Sequence, residues 1–372
     1  VAGYPVKSPA IDVRAIGAGG GSIAWIDDGG ALKVGPHSAG ASPGPVAYGL
    51  GGKNITLTDA NLILGRLNPN TPLAGNISLD VETAYIEMEN QIANPLNMSV
   101  EAAATGIIKV ASSGIARAIR GVASAKGNSP SEFTLFAYGG AGPLCAADVN
   151  EEVGCPKIII PPAPGTLCAR GILLSDLSFD FVRSLLVFAD KRAWETVINN
   201  FEALKEQARQ FLINDGVILK ARSFKYYLEA RYKGQSYELR IQLPDRINSK
   251  YLAKFIDAFH MEHKKEFGYE LLKRPIEIVN CRLEAVGKTS KPITEKPSQN
   301  KTRPTVKETR KVYFGSAFGW RDTPVYGRSC ISYRAKIKGP AIIEEMSSTT
   351  ILPPNYEAKT DNGANLILME VP

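Results

Sequence analysis

Two glycine-dense stretches hold the residue types most able to do chemistry in this chain. The first, "IDVRAIGAGGGSIAWID", packs Gly17, Gly19, Gly20 and Gly21 ahead of Ser22. The second, "AYGGAGP", sets Gly139, Gly140, Ala141 and Gly142 between an apolar run and a helical pattern. Glycine lets backbone N–H groups approach a ligand closely, and a glycine turn that opens a helix directs the helix N-terminus at whatever sits there. Phosphate, or the edge of a nucleoside, is the chemistry such a turn suits; close strand–helix packing with no ligand is the bland alternative. The first stretch falls short of a dinucleotide fingerprint. Gly17-x-Gly19-x-x-Ser22 lacks the last glycine, and "IAWIDDGGALKVG" behind it reads as a hairpin turning at Asp28-Gly29-Gly30 rather than as a helix. A phosphate cradle and a plain tight turn both remain open for it.

Other chemistry is thin. His37 lies in the Gly/Pro-rich loop "GPHSAGASPGPVAYGLGG", whereas His260 and His263 lie on a basic helix, where solvated positions are expected. No Gly-x-Ser-x-Gly elbow and no P-loop lysine motif occurs. Cys145, Cys155, Cys168, Cys281 and Cys330 are odd in number, widely spaced and form no CxxC pair, so reduced thiols in an intracellular, cytoplasmic protein are expected, and none is marked as a nucleophile.

The elements that must position these residues are legible in outline. At 372 residues and 44% hydrophobic composition, two or three domains are expected. Residues 1–80 are loop-rich. A helix capped by Ser99 runs to Gly127, with Ile107, Ile108, Ala111, Ile115, Ile119 and Val122 on one face. Phe133–Tyr138 reads as a buried strand, Leu144–Val153 as a short helix ended by Gly154, and Lys157–Ile160 as a second strand: a strand–turn–helix–strand unit of an α/β sheet. "PGTLCARGILLSDL" reads as a helix opening from a Pro-Gly turn. Beyond Phe188 an amphipathic helix puts Trp194, Val197, Phe201, Leu204, Ala208 and Phe211 inward. Two strands joined through Lys233-Gly234-Gln235, a helix from Tyr251 to Phe267 and a strand "IEIVNCRLEAV" then make an α+β domain. Residues 288–311 read as a connector, and the last stretch as β-rich. The expected domains are therefore 1–186, 187–290 and 291–372.

The net charge of +7 is uneven: residues 186–372 hold 32 of the 44 basic and 22 of the 37 acidic side chains. Those charges are mixed in sign and no basic stripe is interleaved with aromatics, so nucleic acid is not an expected partner. No apolar run approaches the ~18 residues of a membrane span, so a membrane is not expected either.

Taken together, "DVRAIGAGGGSIAWID", "VGPHSAGASPGPVAYGLGG", "TLTDANLILGRL", "YGGAGPL", "PPAPGTLCARGILLSDLSFDFVRS", "RYKGQSYEL", "EIVNCR" and "GPAIIEEMSSTTILPPNY" resemble the hydantoinase A / 5-oxoprolinase family, which includes the β subunits of acetone carboxylases. The resemblance runs in order along nearly the whole chain. It implies an actin-like ATPase of the sugar kinase/Hsp70 type, present here as a partial lobe, followed by the α+β domain and the β-rich region. In that fold a strand ending in Gly-Gly is the adenosine motif, so Gly139, Gly140, Ala141 and Gly142 are implied nucleotide contacts. The two Asp-x-Gly-Gly-Thr phosphate motifs are absent, which implies the C-terminal part of a longer protein whose N-terminal lobe is a missing partner.

The implied chemistry uses ATP and Mg²⁺ to phosphorylate the carbonyl oxygen of a cyclic amide, a hydantoin or 5-oxoproline, before a hydantoinase B-type subunit completes hydrolysis. A ketone carboxylase β subunit and a non-catalytic assembly fragment are the alternatives. On this reading Gly19, Gly20, Gly21 and Ser22 line the cleft near the γ-phosphate or the substrate. His37 and Ser42 face substrate. Asp59 in "TDAN" either holds metal or water or caps a helix starting at Ala60; Asp12 and Asp27, flanking the glycine turn, carry the same two readings. The chain by itself is expected to be inactive and to bind ATP-Mg²⁺ weakly or not at all, because the phosphate ligands of the other lobe are missing. Micromolar affinity in a calorimetric titration would overturn that expectation.

Overall fold

The computed structural model describes residues 13–71, 77–291 and 304–371. Asp12 and residues 292–303 of the expected connector lie outside them. The chain divides into two compact units, residues 1–170 with 294–372, and residues 171–293. Among the described residues no helix is long and apolar enough to cross a membrane, and all five cysteines are unpaired.

The first unit opens with the hairpin Ser22–Ile26 and Leu32–Ser38, with Trp25 opposite Lys33. Asp27 closes its turn: Oδ1 accepts from Gly29 N at 3.1 Å and Ala31 N at 2.8 Å. The Ala31 N–H holds that carboxyl below the usual carboxylate range. Among the described residues no strand precedes the first glycine turn. Residues 13–16 are irregular and exposed, with Val13 at 76%.

Three helices, Leu57–Ile63, Val81–Met88 and Val100–Ala125, pack through Ala60, Leu64, Met88, Ile107, Ile108 and Ala111 into one core. Ser99 caps the long helix by accepting from Ala102 N at 3.2 Å, and Gly127 (φ +69°) turns the chain out of it. The helix Gly142–Val153 ends at a left-handed Gly154, as its sequence predicts. It is tied to the segment just past the first helix by a two-pronged ion pair, Arg66 to Asp148 at 2.6 and 3.1 Å.

The sheet around that helix departs from the pattern read in sequence. Only Leu135–Phe136 forms the first strand, and Phe133, Phe136 and Tyr138 are about half exposed rather than buried. The reason is position. This strand is the edge of a five-stranded sheet and pairs on one side only, in parallel, with Ile158–Ile160. The remaining three strands come from the chain's far end: Leu366–Glu370 pairs antiparallel with Ile158–Ile160, then Tyr356–Thr360, then Lys336–Lys338. A separate four-stranded sheet is formed by Val306–Tyr313, Trp320–Gly327, Ala341–Glu345 and Ser348–Leu352. The β-rich reading of the C-terminal region thus agrees with the structure.

The second unit is a four-stranded antiparallel sheet in the order Leu177–Phe188, Ile276–Gly287, Arg222–Tyr232, Leu239–Leu243. The expected boundary near residue 187 falls inside its first strand, whose Phe181 lies opposite Leu283. The helices Lys191–Asn214 and Tyr251–Phe267 share a core with the sheet through Trp194, Phe201, Phe255, Phe259, Leu228 and Leu283. Asp190 caps the first, accepting from Arg192 N and Ala193 N at 2.9 Å. Phe211, expected inward, is 38% exposed; Leu212 takes the buried place. Phe211 instead packs edge-on against Phe179, ring centroids 4.3 Å apart.

His260 and His263 are not the solvated residues the basic helix suggests: they are 8% and 0% exposed. Each is locked by hydrogen bonds. His263 Nδ1–H donates to the Tyr269 carbonyl at 2.8 Å, which leaves Nε2 to accept from the Gln235 amide at 2.9 Å. Tyr232 OH accepts from Leu271 N at 2.8 Å and donates to His260 Nδ1 at 2.6 Å. The helix is basic on its outer face only, and its inner face carries a polar network that fastens a loop. Removing the hydroxyl should leave a buried N–H and a ring nitrogen without partners. Tyr232→Phe is expected to cost about 1–3 kcal/mol of stability, read by chemical denaturation.

Candidate functional site

The glycine turn Gly139–Gly142 stands at the end of the edge strand and the start of a helix. Gly139 takes φ +85°, a conformation open to glycine, and its N–H donates to Pro164 O at 2.8 Å. Ala141 at the helix N-cap provides no side-chain hydrogen bond, and Pro143 follows in the first turn. The first-turn N–H groups are therefore left without an internal acceptor, as an anion or a polar ligand edge requires.

Two further turns form the walls of this one. In the first, Ala163 is left-handed (φ +50°) and its N–H donates to Glu345 Oε2 at 2.9 Å. Its neighbour Gly165 lies so near Ser347 that an added Cβ would stand 2.5 Å from Oγ and 2.6 Å from the carbonyl oxygen. The second is the hairpin turn Glu345–Ser348. Ser348 Oγ donates to Gly140 O at 3.3 Å, and Ser347 O lies 3.5 Å from where a Gly140 Cβ would be. The sequence reading singled out the glycine turn but not Glu345, Ser347 or Ser348. Their only signal was the dense run "GPAIIEEMSSTT", far along the chain.

Cys145, one turn into the helix, is not poised as a nucleophile. Burial, with Asp148 alongside, pushes its thiol up to about 11 despite Arg66.

The other expected site residues gather on the first hairpin and helix. Ser22 Oγ closes the Gly17–Ser22 turn, donating to Gly17 O at 3.1 Å and accepting from Gly19 N at 2.9 Å. Gly20 O accepts from both Thr58 N and Thr58 Oγ1, at 2.9 and 3.0 Å. A Cβ on Gly20 would meet Thr58 Oγ1 at 2.7 Å, and one on Gly21 would meet Ser38 Oγ at 2.9 Å. The close approach that these glycines permit is thus to the protein's own hairpin and helix.

Asp59 is fully buried. Oδ1 accepts from Ala47 N at 2.8 Å; Oδ2 accepts from Thr56 N at 2.8 Å and Thr56 Oγ1 at 2.7 Å. It is the third residue of the helix capped by Thr56, in a reciprocal capping box, rather than the cap of a helix starting at Ala60. Burial raises its carboxyl above the usual carboxylate range against the pull of the Ala47 N–H. Asn61 donates back to Leu57 O at 2.8 Å. His37 and Ser42 are exposed on the strand end and the loop.

Among the described residues no three acidic, histidine or cysteine side chains converge as metal ligands. With both Asp59 oxygens occupied, the described residues do not by themselves fit an Mg²⁺ site. Among them, too, no hydrogen bond joins the Gly17–Ser22 turn to the Gly139–Gly142 turn.

A family described as Hydantoinase/oxoprolinase matches residues 1–181, and its C-terminal domain family matches 189–371. An uncharacterized protein of Methanocaldococcus jannaschii is 39% identical over 96% of the chain and 51% of its own length. Caprolactamase subunit alpha of Pseudomonas jessenii is 36% identical over 97% of the chain and 53% of its own. A nucleotide-free structure of acetone carboxylase superposes with a TM-score of 0.86 at 27% identity, covering 95% of this chain and 52% of that one. The chain spans about half the length of the curated relatives named here.

The packing at Gly20 can be checked in the chain itself. Gly20→Ala should lower stability by about 1–3 kcal/mol through overpacking against Thr58. In the Gly20→Ala/Thr58→Ala double variant the combined loss should be smaller than the sum of the single losses, because the second change removes the atom the first one strikes.

Proposed function

The chain belongs to the hydantoinase/oxoprolinase family, and from that premise we propose that it is part of the ATP-binding subunit of an ATP-dependent cyclic-amide hydrolase. The observation that carries this reading is 36% identity to a caprolactamase alpha subunit over 97% of the chain. The glycine turn supports it locally, since its uncapped helix start suits a nucleotide.

In this reading the part belonging to an actin-like ATPase lobe lies within residues 1–170, the α+β domain is the unit 171–293, and the β-rich stretch follows it in the chain. The N–H groups of Gly140, Ala141 and Gly142, presented by the left-handed turn at Gly139, hold the nucleotide. ATP supplies a phosphoryl group to the amide carbonyl oxygen, which turns a poor electrophile into one with a leaving group. Opening of the C–N bond by water then takes place with a hydantoinase B-type partner subunit. The phosphate ligands and the Mg²⁺ site come from the polypeptide that the longer relatives carry beyond the length matched here.

Within the chain, Gly19–Ser22 shape the loop beside the substrate, and His37 and Ser42 are the exposed polar residues there. Asp59 acts from behind, holding Ala47 and Thr56 so that the Gly/Pro loop keeps its course. The thermodynamic weight of that part is that of a buried acceptor of three hydrogen bonds rather than of a metal ligand.

A second reading, the nucleotide-binding subunit of a ketone carboxylase, is favoured by the close superposition on acetone carboxylase. The two separate in one assay. The holoenzyme, with its partner subunit and ATP-Mg²⁺, is supplied either with caprolactam, hydantoin or 5-oxoproline, or with acetone and bicarbonate. Phosphate release coupled to ring opening in the first arm, with a silent second arm, is the expected result; the converse assigns the carboxylase.

A further inference from the structure

The long helix Val100–Ala125 carries its apolar stripe further than the core does. Ile107 and Ile108 are 0% and 2% exposed. Further along, Ile115, Ile119 and Val122 continue the same stripe at three- and four-residue steps, yet they are only partly buried. They form one wall of an open groove of about 540 Å³. Ile16, Phe133 and Phe136 line it as well, and these three are 42%, 50% and 48% exposed. A contiguous apolar surface of this kind marks a place where something else binds.

The groove runs beside an open sheet edge. Leu135–Phe136 is joined to the strand Ile158–Ile160 by its neighbours' amides: Leu135 N–H donates to Lys157 O and Ala137 N–H to Ile159 O, both at 2.9 Å. Main-chain groups alternate sides along a strand, so the N–H and C=O of Phe136 point the other way. Among the described residues no strand lies on that side. An unpaired edge is a template for the addition of another strand. The charged side chains that line the groove, Arg14 and Lys126, are both cationic, and no acidic side chain lines it.

We propose that this edge and groove receive an extended strand of the polypeptide that the longer relatives carry beyond the matched length. The strand adds beside Phe136, sets apolar side chains against Ile115, Ile119 and Phe136, and turns a carboxylate toward Arg14 and Lys126. Main-chain pairing supplies affinity in such an addition, and the groove selects alternate side chains. The named relatives are about twice the length that this chain matches, so a lobe-sized polypeptide is there to supply the strand. Phe136 stands three residues before the left-handed Gly139, so a strand added here runs alongside the approach to the glycine turn. The inference rests on the reading above, in which that polypeptide brings the phosphate ligands, and names where it attaches.

The test co-expresses this chain with the unmatched half of the Methanocaldococcus jannaschii protein and, separately, with that of caprolactamase subunit alpha. Amide hydrogen exchange is then followed in the chain alone and in each complex. Residues 133–137 should exchange at least about tenfold more slowly in a complex than in the chain alone, the worth of one main-chain hydrogen bond at the edge. Ile119→Asp and Phe136→Pro, with folding verified by thermal melting, should lower complex formation at least about tenfold. Proline is tolerated at an edge where the N–H it removes faces outward. A complex that leaves residues 133–137 unprotected overturns the proposal, and needs no variant to fold. So does the absence of a complex with either half, or complex formation undiminished by both substitutions. Protection of this edge in the chain alone also overturns it; where light scattering shows a dimer, the occupant is a second copy. If the edge is protected but the holoenzyme acts on neither lactam nor ketone, the inference stands and the function falls. If lactams are opened with the edge unprotected, the inference falls and the function stands.

Discussion

Leu366 lies opposite Ile160 and Leu368 opposite Ile158, and much of the first unit hangs on that register. The strand Ile158–Ile160 has only a two-residue parallel neighbour on its other side. Parallel pairs this short are weak, and an isolated pair of strands is marginal in water. The antiparallel partner from the chain's far end supplies the missing ladder and buries Ile158, Ile160, Leu366 and Leu368 completely. A shift of one residue would turn those apolar side chains to the opposite face.

That pairing has a chemical consequence. It fastens the C-terminal segment to the strand–helix unit from which the glycine turn springs. The hairpin turn Glu345–Ser348 then reaches the backbone at Gly140, Ala163 and Gly165. The small residues at these points are explained by the approach: a side chain at Gly165 would collide with Ser347, and a carboxylate from the hairpin stabilises a left-handed alanine at 163. The site is a meeting of three turns, each too plain to be called functional alone.

Burial of polar groups takes two forms in this chain, and the contrast is informative. Asp59, His263 and the Arg66–Asp148 pair are buried with their hydrogen-bonding capacity largely engaged, so they hold loops and helices in place. Arg328 and Glu345 are buried as an ion pair 3.8 Å apart, each also fastened to backbone through its other terminal atom. The first kind is closed by short hydrogen bonds, the second by charge across a longer gap.

What the sequence determined by itself was local. Periodicity and capping residues located the helices at 100–125, 142–153, 191–214 and 251–267 and the hairpin turning at Asp27–Ala31, because those signals act within one or two turns of chain. Ordered motifs along the chain likewise carried the family. The tertiary structure alone decided which apolar runs are covered and which polar residues are free. Phe136 is half exposed because its strand is an edge; His263 is buried because a loop closes over a basic helix; Asp59 is occupied because Ala47 and Thr56 donate to it. It also brought Ser348 to Gly140 and Glu345 to Ala163, about 200 residues away in the chain. Contacts at such separations depend on strand pairing and loop closure, and no local spacing of residue types encodes them.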